Sequence, residues 1–176
     1  MSKRPAAVTF KGNPLTLIGP ALKAGEKAPD FTCADSAATT VSLGTTGAKA
    51  RLFSVVPSLD TPVCSIQTRK FEKELAAIGD KASCYTISLD MPFAQARFCC
   101  DSTNPIKTMK TLSDVHNFSF GKNYGVLIEG LAVPLLTRAV FVVDKNGVIT
   151  YLEIVPEVTS EPAYEPALEA LKKIAL

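Results

Sequence analysis

The chain lacks several features that mark common classes of protein. It has a single histidine, His116, and no pair of cysteines separated by two residues. Structural zinc sites take four ligands at paired spacing, and thioredoxin-type disulfide exchange uses Cys-x-x-Cys. We therefore expect neither a metal site nor an exchange motif of that type. His116 is interpreted as an exposed helix residue.

Strong charge of one sign and long apolar runs are also missing. Nineteen basic residues face 17 acidic ones, for a formal net charge of +2, which gives no reason to expect a nucleic-acid partner. No apolar run approaches the length of a transmembrane helix. Residues 1–20 contain Lys11, Asn13 and Pro14 and lack the apolar region of a secretory signal. These absences predict a cytoplasmic protein with no membrane partner.

Length and composition are those of an ordinary globular protein. The 176 residues predict a single domain spanning 1–176, and 47% of them are hydrophobic, enough for a full core. The odd number of cysteines argues against a static disulfide scaffold. Two of them, Cys33 and Cys84, fall in apparent strands and are interpreted as packing residues. The five cysteines are Cys33, Cys64, Cys84, Cys99 and Cys100.

Strand and helix signals alternate along the chain. The alternation predicts an α/β fold in which a central sheet is covered by helices on both faces. An N-terminal extension, residues 1–20, contains a hairpin signal around Gly12-Asn13-Pro14. The further predicted elements are short strands or loops at 28–32 and 40–43, a central strand at 52–56, a helix that contains Cys64 and ends near Ile78 before Gly79, a strand at 83–89, a helix at 92–99, a strand at 106–112, a short helix from Asp114, a hairpin at 139–154 around Gly147, and a Ser160-capped helix that buries Leu168, Leu171 and Ile174.

Cys64 has the most informative local context. An apolar strand ends at a proline, a short polar turn follows, and Pro62 suits the first position of a helix. Asp60 or Thr61 can cap that helix, which puts Cys64 in its first turn. Free backbone N–H groups and the helix dipole favour an anion at this position, and a thiolate is a nucleophile.

A purely structural role for Cys64 is the alternative. Cys64, Thr68, Phe71, Leu75 and Ile78 recur on one face of the predicted helix, which is expected to be buried. Cysteine is among the most frequently buried residue types, so it could simply fill the core. A reactive thiol at this place needs a cation or hydrogen-bond donors nearby in space.

Several ordered motifs resemble one family. Residues 57–64 (PSLDTPVC) contain proline, three residues, threonine, two residues and cysteine, as in the active-site segment of peroxiredoxins. Residues 90–99 (DMPFAQARFC) resemble the stretch that carries the resolving cysteine, and residues 137–144 (TRAVFVVD) the stretch with the active-site arginine. Residues 9–16 and 159–165 also fit. The chain is identified by this resemblance as a member of the atypical two-cysteine thiol peroxidases, over nearly its whole length.

The resemblance implies a fold and a reaction. The fold would be thioredoxin-like, with a mixed central sheet flanked by helices. The chain would reduce hydrogen peroxide and organic hydroperoxides without metal, haem or flavin. Cys64 would attack the peroxide and become a sulfenic acid, which Cys99 would resolve to an intrachain disulfide. Thioredoxin would reduce that disulfide. The protein would be a homodimer with one complete site per chain.

The resemblance also gives roles to three further residues, each of which has an ordinary alternative. Thr61 would offer its hydroxyl to the space in front of the sulfur, or it could simply cap the helix. Pro57 would close the pocket against water, or only end the strand. Arg138 would supply the cation, although an arginine at a strand end is usually a solvated charge.

Cys100 departs from the family pattern. Adjacent helical residues point about 100° apart, so at most one of Cys99 and Cys100 faces Cys64 well. A shifted disulfide or a second resolving residue stays open. Because a disulfide needs Cα atoms within about 7 Å, we expect local unwinding at both Cys64 and Cys99. Two other functions stay open: a peroxide-responsive sensor or disulfide relay, and a non-catalytic binding module.

Overall fold

A computed structural model gives the fold, and it describes residues 1–175. The strands are β1 (Lys3–Phe10), β2 (Asn13–Ile18), β3 (Cys33–Ala34), β4 (Thr40–Val41), β5 (Ala50–Val55), β6 (Ala82–Ser88), β7 (Lys110–Ser113), β8 (Leu127–Glu129), β9 (Leu135–Leu136), β10 (Ala139–Val143) and β11 (Ile149–Ile154). The α-helices are α1 (Pro62–Leu75), α2 (Pro92–Cys99), α3 (Ser119–Asn123) and α4 (Tyr164–Ala175).

The larger sheet is mixed, as the sequence predicts. Its strand order is β11-β10-β5-β6-β7-β3-β4. The central strands β5, β6 and β7 run parallel, while β10 and β11 on one side and β3 and β4 on the other add antiparallel edges. Every residue of β5 is buried, because this strand lies inside the sheet and is covered on both faces. The loop that carries the candidate site follows the end of β5.

Alternate residues of the central strands face two different layers. Leu52 packs with the apolar residues of α1 and α4, whereas the next residue, Phe53, packs with aromatic side chains on the opposite face. That opposite layer includes Phe120 of α3 and Tyr124, whose rings stack at 3.9 Å between centroids. Helices therefore cover both faces of the sheet, which is the expected thioredoxin-like arrangement.

The N-terminal hairpin is confirmed and belongs to a second sheet. β1 and β2 pair antiparallel, and β8 and β9 extend them in the order β1-β2-β8-β9. The carboxylate of Glu157 ties the hairpin to the chain after β11. It accepts hydrogen bonds from the backbone N–H of Lys11 at 2.9 Å, the N–H of Gly12 at 3.0 Å and the hydroxyl of Thr9 at 2.8 Å.

Two predicted helix boundaries are wrong. α1 ends at Leu75 rather than near Ile78, and a short 3-10 turn (Gly79–Lys81) precedes the next strand. The last helix begins at Tyr164, so Ser160 does not cap it. Pro166 consequently lies in the first turn, where proline costs little because its missing N–H has no intrahelical partner.

The region between α2 and α3 also differs from the prediction. The predicted strand at 106–112 is reduced to β7, Lys110–Ser113. The preceding backbone N–H groups, at Lys107, Thr108 and Met109, instead donate to the carboxylate of Glu72. A helix does not start at Asp114, and His116 lies exposed in a turn before α3. No helix within residues 1–175 is long and apolar enough to cross a membrane.

Candidate active site

The loop between β5 and α1 is held in place by an aspartate from the neighbouring strand. Asp90, just after β6, accepts hydrogen bonds from the Ser58 hydroxyl at 2.7 Å and the Leu59 N–H at 2.8 Å. α1 then begins at Pro62, as predicted, with Thr61 at the N-cap position. The Thr61 side chain makes no capping bond. Its hydroxyl is therefore available for another partner.

Cys64 is fully buried in the first turn of α1, on the predicted buried face. Its sulfur lies 2.8 Å from the Thr61 hydroxyl and 3.5 Å from a guanidinium nitrogen of Arg138. The Thr61 hydroxyl is also 2.8 Å from the carbonyl oxygen of Ser58, so its single proton can be donated to either acceptor. The structure thus brings together Cys64, Thr61 and Arg138, and it supplies the donors that a reactive thiol at this place requires.

Arg138 is a buried cation with a fixed orientation. It directly precedes β10 and is only 2% exposed. Its Nε donates to the carbonyl of Val158 at 3.0 Å, and its Nη1 donates to the side-chain oxygen of Gln67 at 2.7 Å. Its Nη2 is directed at Cys64. Because burying a lone charge is costly, a thiolate at this position would compensate the guanidinium as well as being stabilised by it.

Sequence reasoning missed Gln67. This side chain is fully buried on α1, one turn after Cys64, and its amide donates to the Ser54 hydroxyl at 2.8 Å while its oxygen accepts from Arg138. The signal in the sequence was a glutamine next to an otherwise apolar helix face. Long polar side chains are seldom fully buried without partners, so its burial indicates a positioning role for the guanidinium.

An apolar cavity of about 570 Å³ lies in front of the site. Pro57, Thr61 and Arg138 line it, whereas the fully buried Cys64 lies behind this wall. The N-terminal hairpin and the second sheet supply most of the remaining lining. The apolar contributors are Phe10, Leu15, Ile128, Leu131, Val133 and Leu135.

Cys99 occupies a different environment. It is half-buried at the last residue of α2 and lines a separate cavity of about 530 Å³ with the exposed Cys100. Burial raises the pKa of the Cys99 thiol. The neighbouring Phe98 packs against the cluster of Val56, Leu59 and Cys64. All five cysteines are free thiols, so this structure corresponds to the reduced chain.

The other two cysteines are buried away from the site. Burial raises the pKa of the Cys33 thiol, and that of Cys84 to about 12. The Cys33 sulfur lies 3.6 Å from a carboxylate oxygen of Asp114. Both are packed in the core, as predicted. Within residues 1–175, no group of three or more His, Cys, Asp or Glu side chains is arranged to hold a metal ion.

Comparison with known families shows which family the chain belongs to. The redoxin family model matches residues 23–168. The chain belongs to the redoxin family. It is 51% identical over 167 residues to a thiol peroxidase of Halalkalibacterium halodurans, covering 95% of this chain and 98% of that protein. A thiol peroxidase of Bacillus subtilis is 47% identical, covering 96% of this chain and 98% of the relative. These matches support the family resemblance of the sequence motifs.

Solved structures agree with the fold of this redoxin. A peroxiredoxin-like protein from Aquifex aeolicus superimposes with a TM-score of 0.88 at 37% identity, covering 97% of this chain and 98% of the other. A thiol peroxidase from Chromobacterium violaceum gives a TM-score of 0.83, covering 94% of this chain and 95% of the other. At 20% identity, the second comparison concerns the fold alone.

Proposed function

We propose that the chain is a thiol-dependent peroxidase in which Cys64 attacks the peroxide. The observation that carries the proposal is the position of the Cys64 sulfur, 2.8 Å from the Thr61 hydroxyl and 3.5 Å from the buried guanidinium of Arg138. The family relationship supports the same reaction, since the relatives cited above are thiol peroxidases. The apolar cavity in front of Thr61 and Arg138 suits organic hydroperoxides as well as hydrogen peroxide.

The first step forms one bond and breaks another. The Cys64 thiolate bonds to the nearer peroxide oxygen, the O–O bond breaks, and the farther oxygen takes a proton and leaves as an alcohol or water. Arg138 would donate to the oxygens as negative charge moves onto them, and Thr61 would orient the substrate. Gln67 and the Val158 carbonyl hold the guanidinium in advance, so little reorganisation is needed. Pro57, buried in the loop between β5 and α1, would keep water out of the site.

The second step would join Cys64 to Cys99. The Cys99 sulfur displaces the hydroxyl of the Cys64 sulfenic acid, forming a disulfide and releasing water. In the reduced chain Cys99 lines another cavity, and Phe98 packs against the cluster that contains Cys64. We infer that the first turn of α1 and the end of α2 unwind before the sulfurs meet.

Thioredoxin is the proposed electron donor, and the cytoplasm the proposed compartment. The thioredoxin dithiol would attack the Cys64–Cys99 disulfide and leave two thiols on this chain. A reducing compartment suits a protein with five free cysteines. We also propose a homodimer, since Met91 and Phe93 expose 53% and 68% of their surfaces at the start of α2. A sedimentation mass of one chain would contradict the dimer.

A redox sensor or disulfide relay is the second candidate. It would use the same pair, Cys64 and Cys99, but a client protein would receive the disulfide. The fate of the disulfide separates the two functions. A non-catalytic binding module is disfavoured, because a core cysteine needs no buried guanidinium at 3.5 Å.

The test is hydroperoxide-dependent consumption of NADPH in the presence of thioredoxin and its reductase. Wild type should turn over continuously. Cys64→Ser should abolish turnover, and Cys99→Ser should keep a single oxidation of Cys64 but stop cycling. The exposed Cys100 provides the matched variant, and Cys100→Ser should cycle like wild type. A larger loss of turnover in Cys100→Ser than in Cys99→Ser would refute the assignment of Cys99 as the resolving residue. A single oxidation of Cys64 without turnover in wild type would favour the sensor.

A further inference from the structure

Two side chains of α1, Arg69 and Glu72, contact the segment that carries Cys99. We call residues 97–109 the resolving segment. Arg69 Nη2 donates to the Asp101 carboxylate at 3.0 Å, and its Nη1 donates to the carbonyl oxygen of Asn104. The guanidinium also lies over the Phe98 ring, 4.8 Å from its centroid. A single side chain therefore contacts the resolving segment on both sides of its two adjacent cysteines.

Other contacts hold the ends of the same segment. One turn after Arg69 on α1, Glu72 accepts the backbone N–H groups of 107–109 at 2.7–2.8 Å. At the other end, Arg97 pairs with Asp60 at 3.2 Å, but these two side chains are 75% and 64% exposed. An ion pair this exposed to water contributes little to stability. Arg69 and Asp101 are 23% and 38% exposed, so this pair is less open to water than the Arg97–Asp60 pair and contributes more.

Phe98, the neighbour of Cys99, packs against two apolar clusters. One is the cluster of Val56, Leu59 and Cys64, and the other is the layer against which Cys99 also packs. Because Cys99 lines a cavity separate from the Cys64 site, bringing the Cα atoms of both cysteines within about 7 Å requires Phe98 to move as well. Arg69 covers the Phe98 ring and binds Asp101 in the loop that follows it. It therefore opposes the movement of Phe98.

We propose that Arg69 is a positioning residue for the disulfide step, and that its hold on the resolving segment sets how long the Cys64 sulfenic acid persists. The inference rests on the proposed function. Two reactions compete for that sulfenic acid: condensation with Cys99, which releases water, and attack on a second peroxide, which gives a sulfinic acid and an alcohol or water. A tighter hold delays the first and increases the share of the second.

The test compares Arg69→Gln with Lys73→Gln. Lys73 is an exposed cation on the same helix, so its substitution removes the same charge without touching the segment. After mixing with hydrogen peroxide, acid quenching and mass spectrometry follow the sulfenic acid, disulfide and sulfinic acid. In Arg69→Gln we expect disulfide formation about tenfold faster, as for loss of a partly exposed ion pair with a cation–π contact. The sulfinic share should fall accordingly, with sulfenic acid forming at the wild-type rate.

A second readout works without peroxide. Hydrogen exchange of the reduced protein should be about tenfold faster at the amides of Cys100, Asn104 and Ile106 in Arg69→Gln, because these amides donate within the part of the segment that Arg69 contacts. It should be unchanged in Lys73→Gln. Asp101→Asn, which weakens the pair from the other side, should act in the same direction. Unchanged exchange, or a disulfide rate no faster than wild type, would overturn the role of Arg69 alone. A wild-type chain that forms no Cys64–Cys99 disulfide would overturn the proposed function as well.

Discussion

The side chains around the Cys64 sulfur are of two kinds. Some can face the substrate, and others only hold those first side chains in position. Arg138 reaches Cys64 with one nitrogen, and two further donors bind the Val158 carbonyl and Gln67. Gln67 is itself fixed by Ser54 on the central strand β5. The guanidinium is thus oriented both from the fully buried strand β5 and from the turn that carries the buried Val158.

Replacing Gln67 should therefore slow the peroxide step without changing the reacting atoms. In Gln67→Met, a side chain of similar length cannot accept the hydrogen bond, and a buried guanidinium nitrogen loses its partner. We expect the rate of Cys64 oxidation by hydrogen peroxide to fall about tenfold or more, measured by quenched reaction and thiol labelling. Gln67→Glu, which restores an acceptor, should recover part of the rate.

Thr68→Val is the matched control for that experiment. Thr68 is buried on the same helix face but its hydroxyl approaches only Thr86, at 3.5 Å, so the rate should stay at the wild-type value. Equal rates in Gln67→Met and wild type would show that the guanidinium keeps its orientation without the amide, contrary to the role given to Gln67.

The residues of the site differ in how far the sequence could predict their contacts. Thr61 and Cys64 are one helical turn apart, so their proximity followed from a helix start at Pro62. Arg138 is 74 residues from Cys64, and only the family resemblance brought it to the site. Gln67 was not predicted, because its partner lies across a long-range contact that no local pattern encodes.

Among the secondary-structure elements, the N-terminal hairpin forms part of the cavity wall. Phe10 and Leu15 line one wall, and Glu157 anchors the connecting turn. The pKa of Glu157 is lowered, first of all by the N–H of Gly12 that it accepts. Because the folded pKa is depressed, this anchor contributes its full stability above the ordinary glutamate pKa, and the contribution is lost progressively as pH falls below that value and through the folded pKa.

Loosening the hairpin should affect large substrates more than small ones. Glu157→Gln removes the charge that several donors share, so the wall formed by Phe10 and Leu15 should become more mobile. We expect the rate constant for cumene hydroperoxide to fall several-fold relative to that for hydrogen peroxide, with faster hydrogen exchange at residues 8–12. Glu169→Gln, an exposed change on α4, serves as the control. An equal loss with both peroxides would indicate damage to the sulfur site itself.

Elements with local signals were predicted well, and those bounded by distant contacts were not. α2 runs from Pro92 to Cys99 as predicted, and the hairpin of β10 and β11 turns at Gly147, which has a positive φ of 77°. The predicted strand at 106–112 lost its first half because Glu72, on a different element, takes its N–H groups. A side chain 35 residues away cannot be identified from the strand's own pattern.

For the molecule as a whole, oxidation should exchange packing for a cross-link. A disulfide across a loop of this length contributes roughly 3–4 kcal/mol by restricting the unfolded chain. Forming it would displace the fully buried Cys64, disturb the packing of Phe98 and release the contacts of Arg69 and Glu72. We expect these losses to exceed the gain, so the reduced chain should be the more stable form.

Calorimetry of the two redox forms tests this expectation. The chain oxidised with one equivalent of hydrogen peroxide should melt a few degrees below the reduced chain, and reduction with dithiothreitol should restore the higher Tm. Cys99→Ser, which cannot form the cross-link, should not show that drop after the same treatment. A higher Tm for the oxidised wild type would argue that the disulfide forms without unwinding α1 and α2.

The separation of the two cavities has a consequence for inhibition. Pro57, Thr61 and Arg138 line one of them and Cys99 and Cys100 the other, with no lining residue in common. A small molecule that fills the first would exclude peroxide from the proposed site but leave the second free, whereas a thiol-directed reagent that reaches Cys99 from the second cavity would prevent the proposed disulfide step. The proposed reaction cycle should therefore be open to inhibition at two different steps, by compounds of unrelated chemistry.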